Sequence, residues 1–180
     1  MACNSLVALP RSCQEGVMGG IQNSIYMIAY KDLTLISGGS DVYTINPTTN
    51  TVSEIGVTTT KFVNIDLLKS TSGLEEKLTK DLQKGTNFFS QTFKLVLGDI
   101  TPSNVTFLQS VINQPVSIIY KTRTGNYFVV GLNGQFELKT ATGGTGIGES
   151  DMNGYTLEFE GIGSTVAPLL DSSILPDIVA

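Results

Sequence analysis

Few side chains in this sequence could do chemistry. The 180 residues include no histidine. That removes Ser-His-Asp and Cys-His nucleophile pairs and every histidine-based metal site. Two cysteines, Cys3 and Cys13, are too few for a zinc site. In a reducing cytoplasm they are expected as free thiols rather than a disulfide. The glycine-rich run Thr142-Gly143-Gly144-Thr145-Gly146-Ile147-Gly148 invites a phosphate-loop reading. It lacks the Gly-Lys-Ser/Thr ending, and its spacing misses the dinucleotide fingerprint. A flexible or interface loop is the simpler reading. Asp151-Met152-Asn153-Gly154 looks like the opening of a calcium loop, but the position that should hold a bidentate glutamate is Ile162. A turn entering a strand, with Asn153-Gly154 supplying positive φ, accounts for the same residues. Glu158 and Glu160 share one face of a strand, where carboxylates are more often solvated than catalytic. Asn104-Val105-Thr106 is a glycosylation sequon inside an expected helix. Basic residues are scattered, which argues against a DNA-gripping patch. The expectation is a non-enzymatic chain: no catalytic, cofactor-binding or metal-ligating residue, and no cofactor.

The elements around these residues are mostly strands. Phe88–Leu97 is an apolar-rich, partly alternating run closed by Gly98-Asp99. Thr101 can cap a helix that starts at Pro102, where the missing N–H costs nothing. Val105, Leu108, Val111 and Ile112 fall on one stripe, and Pro115 stops the helix, giving a span of about 102–113. Val116–Tyr120 and Tyr127–Val130 face each other across Thr124-Gly125-Asn126, a hairpin signal. One amphipathic helix between strands suggests a plug against a sheet.

Further signals flank this centre. Leu6–Pro10 is a short possible edge strand. Ile21–Tyr30 alternates between two apolar sets, so it is expected to be covered on both faces. Val42–Ile45 and Val52–Ile55 read as a hairpin, and 61–69 as a further strand. Residues 70–86 are ambiguous. Leu74, Leu78 and Leu82 recur every four residues, and Glu76–Lys80 and Lys77–Asp81 are opposite-charge i,i+4 pairs. A helix and an extended arm paired with 86–97 are equally compatible with these local signals. Phe136–Lys139 reads as a strand after a turn at 132–135. Gly154–Gly161 is the cleanest half-buried strand, with Tyr155, Leu157 and Phe159 on one face. Residues 162–180 carry Pro168 and Pro176 and two exposed-looking apolar pairs, Leu169-Leu170 and Ile174-Leu175. Such a tail is expected to dock on its own body or on a neighbour.

Composition agrees with a mainly β chain that assembles. Glycine, at 19 residues, and abundant Thr, Ser and Asn favour strands and turns. Charged residues make up only 15%, against about 25% in a usual soluble domain. A surface so sparse in charge suggests cover by other subunits. No run of apolar residues is long enough for a transmembrane helix. The opening residues lack the pattern of a signal peptide, so folding in a cytoplasm is expected. The length suits a single domain, 1–180, with a sizeable core.

The order strand, helix around 102–113, hairpin, glycine loop, final strand resembles the tail-tube fold of bacteriophages, which the type VI secretion tube shares. The stretches Val116–Gly131 and Gly146–Gly161, and the opening with Cys3, Cys13, Gly19-Gly20-Ile21 and Ile25-Tyr26, look like virion proteins of phages infecting Bacteroides-type bacteria. The resemblance implies a mainly β, antiparallel sandwich or barrel with one flanking helix. It tilts 70–86 toward an extended inter-subunit arm. It implies a structural subunit of a virion tail or neck, made in the host cytoplasm. Copies would form a homo-oligomeric ring, hexameric or dodecameric, contacting other tail or neck proteins and no membrane. Inner strands would line a channel that DNA passes through without tight binding. A net charge of −5 per subunit would repel phosphates and let the duplex slide. Residues 70–86 and 37–60 are the expected inter-subunit elements, and 162–180 a docking tail. Two other readings compete: a capsid decoration or head-fibre-attachment protein, forming dimers or trimers, and, more remotely, a carbohydrate-binding β-sandwich. The chain has no Trp to offer a sugar.

Overall fold

Apolar residues at a period of two place one face of each strand against a shared core, and in this protein they build two sheets. The computed structural model describes residues 19–81, 83–149 and 151–180. Cys3, Cys13 and the possible edge strand at 6–10 lie outside them. The strands are β1 (Ile21–Ala29), β2 (Tyr43–Asn46), β3 (Thr51–Ile55), β4 (Val63–Asp66), β5 (Gly73–Asp81), β6 (Thr86–Gly98), β7 (Val116–Thr122), β8 (Tyr127–Val130), β9 (Phe136–Gly144), β10 (Gly154–Gly163) and β11 (Leu169–Leu170). The helices are α1 (Pro102–Val111) and a single turn, α2 (Leu175–Ile178). A seven-stranded sheet has the order β2-β3-β11-β8-β7-β1-β4, and a four-stranded sheet the order β5-β6-β10-β9. The chain is thus a mainly β sandwich with a flanking helix, as expected. Among the described strands the pairing is antiparallel except where β11 lies parallel to β3, and Phe62 makes an isolated parallel bridge with Val179.

The space between the sheets is filled by Ile25 and Met27 of β1, Ile118 and Tyr120 of β7, Phe93 and Leu95 of β6, and Leu157 and Phe159 of β10. Tyr120 stacks on Phe128 with ring centroids 5.5 Å apart and tilts against Phe93 at 5.6 Å. The other face of the large sheet carries a second core: Ile28, Ile119, Val129 and Val52 under Phe62, Leu170 and Ile178. So β1 and β7 are covered on both sides, as the double apolar pattern of Ile21–Tyr30 requires.

Helix α1 begins as its sequence dictates. Thr101 Oγ1 accepts the Asn104 backbone N–H at 3.2 Å, and Pro102 opens the first turn. Its buried face differs from the expected stripe. Phe107, Leu108 and Val111 pack on the core, whereas Ile112 is 48% exposed. Ile112 keeps helical backbone angles but lies about 100° round the helix from Val111, at the flank of the packed face.

Two further expectations are corrected, and the open reading of 70–86 is decided. Gly73–Asp81 is extended, the conformation toward which the resemblance tilts it: β5 pairs with β6 from Gly73 opposite Lys94 to Asp81 opposite Thr86. The i,i+4 leucine spacing is also an even spacing, so Leu74 and Leu78 share one side of a strand. The glycine-rich loop is shorter than its composition suggests, because Thr142, Gly143 and Gly144 pair with Thr156, Tyr155 and Gly154. The apolar pairs of the tail are not exposed as pairs. Leu170 is buried, and Ile174 and Leu175 pack on the second core. The tail docks on its own body through β11, with the Phe62 N–H bonded to the Ile178 carbonyl at 2.9 Å.

Candidate functional site

The glycine loop meets its own anion. Backbone N–H groups of Ile147 and Gly148 point inward, and the Asp151 carboxylate accepts both, at 2.9 and 2.8 Å. The bonds from Gly148 and then Ile147 hold the Asp151 carboxyl below its ordinary pKa. A nest that could cradle a phosphate is therefore filled by the chain itself. The Ile147 side chain beside it stands fully in solvent.

Asn153 leads into β10 without the positive φ expected of it; among these two residues only Gly154, the first of the strand, has φ +153. The Asn153 carbonyl accepts the Asp99 N–H at 2.8 Å, and a Cβ on Gly154 would stand 2.2 Å from the Leu97 carbonyl oxygen. Asp151 is spent on the loop and Asn153 on Asp99, so the calcium-loop pattern has no geometry behind it. The Asn104 amide is likewise committed, donating to the carbonyls of Gly98 at 3.1 Å and Asp99 at 2.9 Å. Glu158 and Glu160 lie on the outer face of the smaller sheet. Glu160 pairs with Lys139, and Glu158 stands opposite Lys94 and Thr140. Among the described residues, no three His, Cys, Asp or Glu side chains converge on a point that could hold a metal ion.

What the fold offers instead is surface. The smaller sheet turns a polar face outward, built from Glu75 and Lys77 of β5, Thr92 and Lys94 of β6, Glu158 and Glu160 of β10, and Glu137 and Thr140 of β9. This assignment follows from the cross-strand partners, since Phe93, Leu95, Leu157 and Phe159 point the other way into the core. Its two edge strands, β5 and β9, are nine residues each and have no second neighbour among the described strands. The edges of the larger sheet, β2 and β4, are only four residues long. Long bare edges are templates for pairing with another chain.

The proposed inter-subunit elements fall differently. Within 70–86, Gly73–Asp81 forms the exposed β5 edge and 83–85 a turn before β6. Within 37–60, Val52 and Ile55 are buried in the second core, so that region belongs largely to the body of the larger sheet. Sequence reasoning missed Glu76 as a tie between elements: its Oε1 accepts Gln91 Nε2 at 2.8 Å and the Ala167 N–H at 2.7 Å. It also missed that β5 and β9 are edges. No local signal marks an edge, because edge status is set by which distant strands are already paired.

No protein-family model, curated protein or solved structure matches this chain.

Proposed function

We propose that this protein is a structural subunit of a bacteriophage virion whose copies close into a ring around a channel, as a tail tube or neck ring. One observation carries the reading: among the described strands, the smaller sheet has two unpaired edges of equal length that run in opposite directions. β5 is antiparallel to β6, β6 to β10, and β10 to β9. The β9 edge of one copy would therefore meet the β5 edge of the next as an antiparallel pair. A rotation that repeats this heterologous contact closes a ring with no edge left bare.

The dimensions agree with six copies. Four strands per subunit at about 4.8 Å spacing give a wall about 115 Å around, hence about 37 Å across. Side chains reaching about 5 Å inward from each wall leave about 27 Å, enough for duplex DNA. Twelve copies would double the diameter and leave the duplex loose. The face turned to the channel would carry Glu75, Glu137, Glu158 and Glu160 against Lys77, Lys94 and Lys139. That mixed, slightly acidic lining offers phosphates no continuous grip.

Negative-stain electron microscopy of the purified protein, with its mass in solution, tests the proposal. Rings or tubes with a central hole are expected. A discrete dimer or trimer without a hole overturns it and favours a capsid-decoration or fibre-attachment role.

A further inference from the structure

We propose that this chain binds a small tetrahedral oxyanion, inorganic phosphate or the phosphate of a mononucleotide, in a hollow at one end of the larger sheet, between Lys69 and Arg123. The inference does not rest on the ring-subunit reading.

Three stretches far apart in the chain meet there. The start of β1 supplies Gln22, Asn23 and Ser24, the crossover from β4 to β5 supplies Lys69, and the turn between β7 and β8 supplies Arg123. Every one of these side chains is polar, and among the described residues no acid lines the hollow. Neither Lys69 nor Arg123 pairs with a carboxylate among the described residues. The acid closest in register is Asp66, across from Ser24, and its Oδ1 accepts Asn64 Nδ2 at 3.2 Å. In a chain of net charge −5, a wall with two cations and no acid is a local reversal of sign.

A break in the sheet shapes the wall. Between Ile21 and Ile25, β1 advances four residues while β7 moves back two, from Thr122 to Tyr120. Gln22, Asn23 and Ser24 therefore bulge out of the β1–β7 register, and a bulge re-aims its side chains. The Asn23 carbonyl accepts the Leu67 N–H at 2.7 Å, which fastens the bulge to the crossover. Lys69 sits on a braced stretch of that crossover. The Leu68 N–H bonds to the Val96 carbonyl at 3.2 Å, and Thr71 Oγ1 donates to the Leu68 carbonyl at 2.8 Å. Ser70, between them, takes φ +62, a conformation that a serine rarely adopts.

Arg123 reaches across to the same crossover. Its backbone N–H bonds to the Gly20 carbonyl at 3.2 Å, and its Nη2 donates to Ser70 Oγ at 2.6 Å. That bond fixes the guanidinium and leaves it further donors for an anion. A guanidinium fork, an ammonium and neutral amide and hydroxyl groups offer charge and donors from several directions. A tetrahedral dianion can use them together; a planar, singly charged carboxylate would satisfy fewer. The next cation along β7, Lys121, lies over the Tyr127 ring at 4.8 Å, so no basic track leads away along that strand. The hollow fits one phosphate group rather than a nucleic-acid backbone.

The test titrates the isotope-labelled full chain with sodium phosphate at constant ionic strength and follows the backbone amides by NMR. Saturable shifts confined to residues 20–24, 68–71 and 122–124 are expected. Lys69→Gln and Arg123→Gln should each weaken binding about tenfold. Arg123→Lys, which keeps the charge and loses the fork, should recover only part of it. Lys69→Gln should melt at the wild-type temperature without phosphate, which separates lost binding from lost folding. Shifts that do not saturate or spread over all the basic residues, or binding that both glutamine variants retain in full, overturn the site. Adenosine monophosphate, titrated in the same way, distinguishes the sources: tighter binding than phosphate assigns the site to a nucleotide, and equal or weaker binding assigns it to the free ion. A duplex oligonucleotide that shifts these amides when neither small ligand does overturns the small-oxyanion reading.

Discussion

The carboxylate of Glu76 accepts the backbone N–H of Ala167 at 2.7 Å, tying an edge strand of the smaller sheet to the segment that leads into the tail. The same oxygen takes Gln91 Nε2, and Gln91 is buried. Glu76→Ala leaves both donors without this acceptor. We expect a loss of about 1–2 kcal/mol, read from urea unfolding, with faster amide exchange at Ala167.

The Asp151 brace titrates. Its carboxyl is held below its usual value by the N–H groups of Gly148 and Ile147, so the folded loop favours the ionised form. The loop is therefore fully braced above the ordinary carboxylate pKa of 3.8 and loosens as pH falls below it toward the depressed folded value. The protection of the Ile147 and Gly148 amides, measured by NMR exchange relative to the intrinsic rate at each pH, should fall in acid. Asp151→Asn should show lower protection already at neutral pH and no further fall in acid.

Tyr120 behaves in the opposite sense. Burial, with a further push from Glu76, raises its phenol well above the ordinary value of 10.0. The folded state prefers the neutral phenol, so this contribution is intact below pH 10 and is lost as pH rises through the folded value. Tyrosinate absorbance in strong base should show one tyrosine that titrates only with unfolding. Tyr120→Phe should abolish that component.

Gly131 has φ +83, and a Cβ there would lie 2.2 Å from the Val116 carbonyl oxygen. Its own carbonyl accepts the buried Ser117 hydroxyl at 2.9 Å. Gly131→Ala should cost about 3 kcal/mol or more, seen as a lowered melting temperature or loss of folded protein. Thr101→Ala, which removes only the α1 cap, should cost about 1 kcal/mol.

The sequence made visible whatever is settled over a few residues. The hairpins 43–55 and 116–130 follow from alternation plus turn chemistry, and the start of α1 from Thr101-Pro102. β5 was ambiguous because a spacing of four satisfies a helix and a strand alike; only the partner β6 decides between them. The apolar stripe misleads at Ile112 because Phe107, which it leaves out, packs on the core and shifts the buried face away from that flank. β11 carries no local signal at all, being two residues that are strand only because β3 and β8 leave a gap for them. Which strands remain as edges was not readable either, since that depends on every other pairing.

That gap has a consequence for how the molecule folds. Without β11, the β2–β3 hairpin has no backbone bonds to β8, and the larger sheet is two pieces. The hairpin is local and can form within microseconds. Its splice comes from residues 169 and 170, near the far end of the sequence, so joining the pieces requires one of the longest loop closures in the chain. Contacts of such sequence separation are the slow ones. The β2–β3 hairpin should therefore gain its protection from exchange late in refolding, together with Phe62 and Ile178, after the core between the two sheets has already closed.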